Sequence, residues 1–273
     1  MKGNKIKQGG HKGVYATLAL MGIAAILSSG IYGFFKLQRI YEEQCEIVDF
    51  AKQIEITSGK MVKPDVIAEN LSLRKGANLA RIDFARKREE ILKKIPTLRE
   101  VSITRIQPDK LIVTAEEREP IARLGIRGVR RVTGRVVDAE GVVFLCQRGT
   151  YHLPTISEPR SPGTGPGRQI GGRARAALSL IEACQKPEFQ ELNVQDVDIS
   201  RPDYLFATLG DYSRLKISWE GMDEAPSEKS RAELNRHLDH LVRTIRSRVG
   251  VGTKIWNATM PDHIFADTQG DSL

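Results

Sequence analysis

Val14 to Phe35 is a run of 22 residues without a charged side chain. As a helix rising 1.5 Å per residue it would be about 33 Å long, and the hydrocarbon core of a bilayer is about 30 Å thick. Tyr15 and Tyr32 stand near its ends, where amphipathic rings favour the membrane interface. Gly22, Gly30 and Gly33 would weaken a soluble helix but are common in membrane spans. Lys2, Lys5, Lys7 and Lys12 precede the run with no acid among them, a flank expected on the cytoplasmic side. Everything from about Lys36 onward then lies outside the cytoplasm. The competing reading is a cleaved signal peptide, because Ser28 and Gly30 are small residues two apart. The apolar run continues past that point through Ile31 to Phe35, which favours a retained anchor.

The charge balance narrows the partners. The chain has a formal charge of +8, and the four early lysines supply half of it. The remainder is close to balanced, so the sequence offers no concentrated basic face of the kind nucleic-acid binding needs. With 40% hydrophobic and 28% charged residues, the part after the span can build a packed core. No later stretch is apolar enough to cross a membrane.

Two folded regions follow a polar stalk. In the first, Gln53 to Thr57 alternates as a strand with Ile54 and Ile56 on one face. Ser58, Gly59 and Lys60 make a turn, and Pro64 suits the first turn of a short helix with Val66, Ile67 and Leu71 on its apolar side. Lys75 to Asn78 interrupts, and a second helix is predicted over Phe84 to Lys94, ended by Pro96. Alternation around Val101 to Arg105 and Leu111 to Val113, with Gln107-Pro108-Asp109 between, predicts a hairpin. In the second region, Val132 to Val137 and Val142 to Leu145 predict another hairpin. Ser157 to Gly172 reads as a mobile loop, and Ala174 to Cys184 as a helix. Strands are predicted at Val194 to Ile199, Tyr204 to Leu209 and Leu215 to Trp219. A long helix spans about Glu228 to Val249, capped at Ser230 or Ser227, with a stripe of Leu234, Leu238, Leu241, Ile245 and Val249. Lys254 to Met260 is the last predicted strand before a polar tail.

This order resembles the FtsQ/DivIB family of bacterial cell-division proteins. Ile54-Glu55-Ile56 with Gly59, Val62 and Ile67 resembles the opening of that family's POTRA domain. Lys75-Gly76-Ala77-Asn78-Leu79 with Asp83 is similar to its inter-helix segment, and Val101, Arg105, Pro108 and Leu111-Ile112-Val113 to its hairpin. Glu117 to Ala122 resembles the POTRA exit; Val137-Asp138, Gly141, Phe144 and Leu153-Pro154 resemble the start of the β domain that follows. Thr57-Ser58 displaces the family's glycine, Trp256-Asn257-Ala258 stands where an acidic and a basic residue are frequent, and the Ser157 to Gly172 loop is long.

The resemblance implies an α+β chain: a basic cytoplasmic tail at 1–13, a single transmembrane helix at 14–35 and a stalk at 36–49. A POTRA domain of the β-α-α-β-β type at 50–124 follows, then a mostly antiparallel β domain with a long helix at 125–266 and a polar tail at 267–273. It implies a non-enzymatic, inner-membrane scaffold at the division septum. Its partners would be FtsB/DivIC-like and FtsL-like single-span proteins and other divisome components, with no cofactor, metal or nucleic acid. The runner-up is another POTRA-bearing envelope protein that hands client polypeptides to an outer-membrane or secretion assembly. The short chain and its long C-terminal helix leave no room for a barrel of about eight or more strands.

A membrane-anchored hydrolase finds no support. His237 and His240 are three apart on the long helix without a third ligand beside Asp239, and both read as surface residues. Gly163, Gly165 and Gly167 are interrupted by prolines, and Glu116, Glu117 and Glu119 alternate with arginine as a surface ladder. Cys146 and Cys184 could pair or be small buried hydrophobes, and Cys45 could cross-link a homodimer near the membrane.

The partner site is expected on Lys254 to Met260, read as a chain-end strand at a sheet edge, with Ile255, Trp256, Asn257, Thr259 and Phe265 as its residues. Trp256 has a second reading, as a core residue closing against Leu238 and Leu241. Intact-mass analysis of the membrane fraction is expected to return the uncleaved chain; a chain beginning at Ile31 would mean a processed signal peptide.

Overall fold

The computed structural model describes residues 11–128, 134–146, 149–159, 164–219, 221–222, 227–247, 252–260 and 262–267. Residues 1–10 of the expected cytoplasmic tail, the start of the predicted strand at Val132 and residues 268–273 of the polar tail lie outside these residues. The chain divides into two compact units, one of residues 1–57, 64–88 and 102–114 and one of residues 58–63, 89–101 and 115–273.

The first element is a 34-residue helix, α1 (His11–Gln44), which contains the whole apolar run. Among the described residues no helix is long and apolar enough to cross a membrane. The side chains at 11–20 and 22–26, most of the expected span, lie outside the described set.

A short helix α2 (Phe50–Gln53) leads into β1 (Ile54–Thr57), α3 (Pro64–Asn70), α4 (Phe84–Lys94), β2 (Leu98–Ile106) and β3 (Lys110–Glu117). The predicted β-α-α-β-β order is present. The three strands form one sheet in the order β1-β3-β2, with β1 parallel to β3 and Ile54 opposite Leu111. Leu111 and Val113 are fully buried, as their alternation with Ile112 requires. Val66 is not part of the apolar side expected for α3, being 39% exposed while Ile67 and Leu71 are fully buried. Packing also begins earlier than Phe50. Cys45 and Ile47, assigned to a stalk from sequence, are fully buried. Gln53 explains part of this: its amide oxygen accepts from the Val48 and Asp49 N–H groups, and its amide nitrogen donates to the Glu46 carbonyl and to Asp109.

The second sheet has nine strands in the order β12-β11-β10-β9-β8-β7-β4-β5-β6. They are β4 (Ala122–Ile126), β5 (Arg135–Val137), β6 (Val143–Leu145), β7 (Thr155–Glu158), β8 (Asp196–Asp198), β9 (Leu205–Thr208), β10 (Arg214–Ile217), β11 (Ile255–Met260) and β12 (His263–Asp267). The sheet is mixed. Neighbours β4/β7, β7/β8 and β10/β11 are parallel and the others antiparallel. A parallel pair needs a crossover. Helix α5 (Gly172–Cys184) joins β7 to β8, and α6 (Glu228–Arg246) joins β10 to β11. Both helices bury apolar faces in one cluster with Leu124, Ile156, Val197, Ala207, Leu215 and Trp256 from the sheet.

Two expectations change here. The stretch expected as a mobile loop from Ser157 starts within β7, and its later part is bonded to β6. Gly167 N–H donates to the Val143 carbonyl, and Val143 N–H donates to the Arg168 carbonyl. The last predicted strand is not the last: β12 follows β11 after two residues and pairs with it antiparallel. Helix α6 starts after Ser227, whose hydroxyl accepts from Ser230 N–H at 3.1 Å, so Ser227 rather than Ser230 is the cap.

Leu111→Asp places a charge where no solvent reaches, which costs several kcal/mol. For a chain of this size that is on the order of 10 °C in Tm. Thermal melts of parent and variant check it, and an unchanged Tm would contradict the register given for β3.

Candidate partner-binding edge

The expected partner residues separate once β12 is in place. β11 lies between β10 and β12, so both of its backbone edges are paired. A strand cannot add to it, and the edge passes to β12. Trp256 is 5% exposed in the cluster that also holds Leu238 and Leu241, as its core reading anticipated. Ile255 is also buried. The Asn257 side-chain oxygen accepts from the Thr259 N–H and hydroxyl, which occupies both side chains locally. Of the five, only Phe265 lies on β12, and it is 52% exposed. Its ring neighbours His263, with centroids 6.2 Å apart. The signal for β12 was a short one: three apolar residues, Ile264-Phe265-Ala266, soon after the turn-favouring Pro261-Asp262.

The two edges of the nine-stranded sheet differ. The outer side of β6 is occupied by the 165–170 segment through the two Val143 bonds and a bridge from Val142 to Gln169. β12 stands at the end of the strand order. The sheet face away from α5 and α6 is polar and positive near that end. The Arg214 guanidinium stacks 5.4 Å from the Phe206 ring, and the Lys216 amine 5.9 Å from that of Tyr204. With Arg127, Arg201 and Ile255 they line a cavity of about 120 Å³, where Asp198 accepts from Arg127 at 3.1 Å.

The side chains weighed as catalytic are engaged structurally. Glu117 accepts from three consecutive backbone N–H groups, Lys60, Met61 and Val62, at 2.7–3.1 Å. It is an anchor for that turn and not part of a surface ladder. A Cβ at Gly59 would collide with the Glu117 side chain in the position where it accepts these bonds. Arg118 is 14% exposed and donates to the Pro96 carbonyl, to Asp138 and to Glu140. Asp138, itself buried, also accepts from Val142 N–H, which closes the β5–β6 turn where Gly141 takes φ +81°. Burial works against the Arg118 charge, but its bonds to Asp138 and Glu140 outweigh that and raise its pKa. The same bond from Arg118 holds Glu140 below its ordinary value.

His240 is exposed, as expected, but His237 is not: it is 4% exposed, and its Nδ1 has no hydrogen-bond partner. The buried face of α6 is wider than its leucine stripe and takes in Ser230 and His237. Among the described residues no three His, Cys, Asp or Glu side chains could hold a metal. All three cysteines are buried. Burial pushes the Cys184 thiol up to about 12, which keeps it protonated and unreactive. Cys146 belongs to a separate cluster with Val136 and Phe144.

A family model of the FtsQ-type POTRA domain matches residues 51–118. The match covers β1, α3, α4, β2 and β3, ending at Arg118. The chain carries an FtsQ-type POTRA domain. That supports an FtsQ/DivIB family protein. No curated protein matches the chain. Within the FtsQ-type domain, the turn held by Glu117 and the exit held by Arg118 are both described by the motifs that suggested the family.

Arg118→Met is expected to destabilise the protein most at neutral pH. Glu140 has a depressed folded pKa, so its contribution is complete above the ordinary carboxylate range and disappears as pH falls through the lowered value. The stability gap between parent and Arg118→Met should therefore narrow between pH 7 and about pH 3. Denaturant melts at both pH values check it, and a constant gap would contradict the role given to this ion cluster.

Proposed function

We propose that this chain is a membrane-anchored, non-enzymatic scaffold of the bacterial division machinery. Its apolar run, Val14–Phe35, is the anchor, with the POTRA domain and nine-stranded sheet on the extracytoplasmic side. The scaffold joins FtsB/DivIC-like and FtsL-like partners and links them to septal peptidoglycan synthesis. The observation that carries this reading is the pairing of an FtsQ-type POTRA domain with a sheet whose terminal strand β12 ends the strand order.

The physical basis is strand addition. An edge strand presents a row of N–H and C=O groups to one side, and an extended segment of another chain can satisfy them while nearby pockets select side chains. β12 supplies the edge and Phe265 an exposed aromatic anchor of the kind that dominates interface energies. The cations on the adjacent face, Arg127, Arg201, Arg214 and Lys216, favour a partner segment with acidic residues. The non-enzymatic reading is supported by what occupies the acidic and histidine candidates: Glu117 grips a turn, and His237 is core.

Successive residues of a strand send their N–H groups to opposite sides. Of Phe265→Pro and Ala266→Pro, one therefore removes a donor from the free side of β12, and proline on an edge strand is tolerated. Binding of the full chain to the soluble segment of the FtsB/DivIC-like partner should fall at least tenfold, about 1.4 kcal/mol, for one of the two, with its melting curve retained. Parental affinity in both folded variants would contradict strand addition at β12.

A further inference from the structure

The side of β12 away from β11 ends the strand order. Among the described residues, no backbone bond beyond the pairing with β11 involves residues 263–267. Proteins guard such edges with lysine, with proline or with a bulge that twists the strand away. Residues 263–267 hold neither lysine nor proline. Asn257 pairs with Phe265 and Met260 with His263, so the extra residue of that irregularity lies on β11 and β12 keeps its pleat. Apolar surface adjoins the edge: Phe265 is 52% exposed and Met260 54%.

The strand fits a second copy of itself in one register. Two antiparallel copies related by a two-fold axis perpendicular to the sheet keep each side chain on its own face, and directly opposed residues share a face. The axis therefore passes through one residue that stands opposite itself. Centred on Ile264 or on Ala266, three of the five residues of β12 find a strand partner; centred on Phe265, all five do. His263 then stands opposite Asp267 of the second copy, Ile264 opposite Ala266 and Phe265 opposite Phe265. A histidine donates to a carboxylate in either protonation state, a cross-strand aromatic pair is favourable, and no like charges are opposed. Arg214 and Lys216 lie on β10, two strands in from β12. Across the dimer they meet their counterparts over five strand spacings, about 24 Å, well beyond the screening length of about 8 Å.

We propose that β12 pairs antiparallel with β12 of a second copy of this chain, about a two-fold axis at Phe265, and joins the two nine-stranded sheets into one. The homodimer contact considered at Cys45 is not available for this, because that side chain is fully buried. The self-pairing needs only the open edge. Strand addition by the FtsB/DivIC-like partner uses the same edge, so on that reading the two occupants exclude each other and the dimer keeps the edge closed until the partner arrives. Five residue pairs make a short interface of the transient class. Anchoring both chains in one membrane raises their effective concentration, a gain that rests on the reading of Val14–Phe35 as an anchor.

The test is register-specific disulfide trapping of the full chain in membranes. The native cysteines are buried, and the parent gives the background. Phe265→Cys puts two thiols directly opposite each other, within the Cα separation of about 4.4–6.8 Å that a disulfide spans. His263→Cys alone leaves its two copies about 14 Å apart along the strands, whereas chains with His263→Cys and Asp267→Cys expressed together bring the two thiols level. Mild oxidation should give about fivefold more dimer at Phe265→Cys, and in the mixed pair, than at His263→Cys or Asp267→Cys alone. Melting curves check each variant, and the mixed pair carries the test with Phe265 intact. Trapping no higher than in the parent, or equal at every position, would overturn the proposal. So would His263→Cys trapping best with itself, which is the mark of parallel pairing. The soluble segment of the FtsB/DivIC-like partner, in excess, should suppress the Phe265→Cys dimer. A dimer that persists with that segment bound would contradict partner addition at β12 and leave the self-pairing supported.

Discussion

Backbone hydrogen bonding at the ends of the nine-stranded sheet governs much of the rest of this structure. Every strand carries donors and acceptors on both sides, and a row without partners is unfavourable unless water or another chain satisfies it. At β6 the chain closes the row itself, by turning residues 165–170 back onto Val143. At β12 the strand order stops. The β11–β12 hairpin moves that edge outward by one strand, and this makes β11 an interior strand. Trp256 can then lie in the core beneath α6, while Phe265 remains exposed.

Much of this was legible in the sequence, for physical reasons that can be traced to particular residues. Leu111 and Val113 alternate with the β-branched strand residues Ile112 and Thr114, and Phe84 to Lys94 is bounded by Asp83 and Pro96, so their elements matched closely. β4 and β7 were harder to see. They are interior strands in parallel contact with each other, and such short runs lack the one-sided alternation of an exposed strand. β12 was hidden by its polar residues: His263 and Asp267 make it read as a tail, although Ile264 and Ala266 keep the period. The buried position of His237 had no local signal. It follows from the width of the α6 face that α5 and the sheet cover, and that width is set by tertiary packing.

Residues with reactive chemistry serve here as fasteners. Glu117 completes a turn, Arg118 joins Pro96 to the Asp138 and Glu140 carboxylates, and Gln53 satisfies four polar partners at once. Such groups are costly to leave unpaired once buried, so their partners constrain the local backbone. Within the first unit the same logic ties the end of α1 to the segment after α3. The apolar helix thus continues into the folded unit without a loose linker, and Arg81 is held against Glu42 near its end.

Hydrogen exchange on the complex with the FtsB/DivIC-like partner tests the central claim most directly. If the partner adds as a strand, amides of β12 that point away from β11 should slow on binding, by about tenfold or more. Their neighbours, already bonded to β11, should change little. Alternate protection along His263–Asp267 is the predicted pattern. Protection confined to the POTRA sheet, with β12 amides exchanging as in the free chain, would contradict the account.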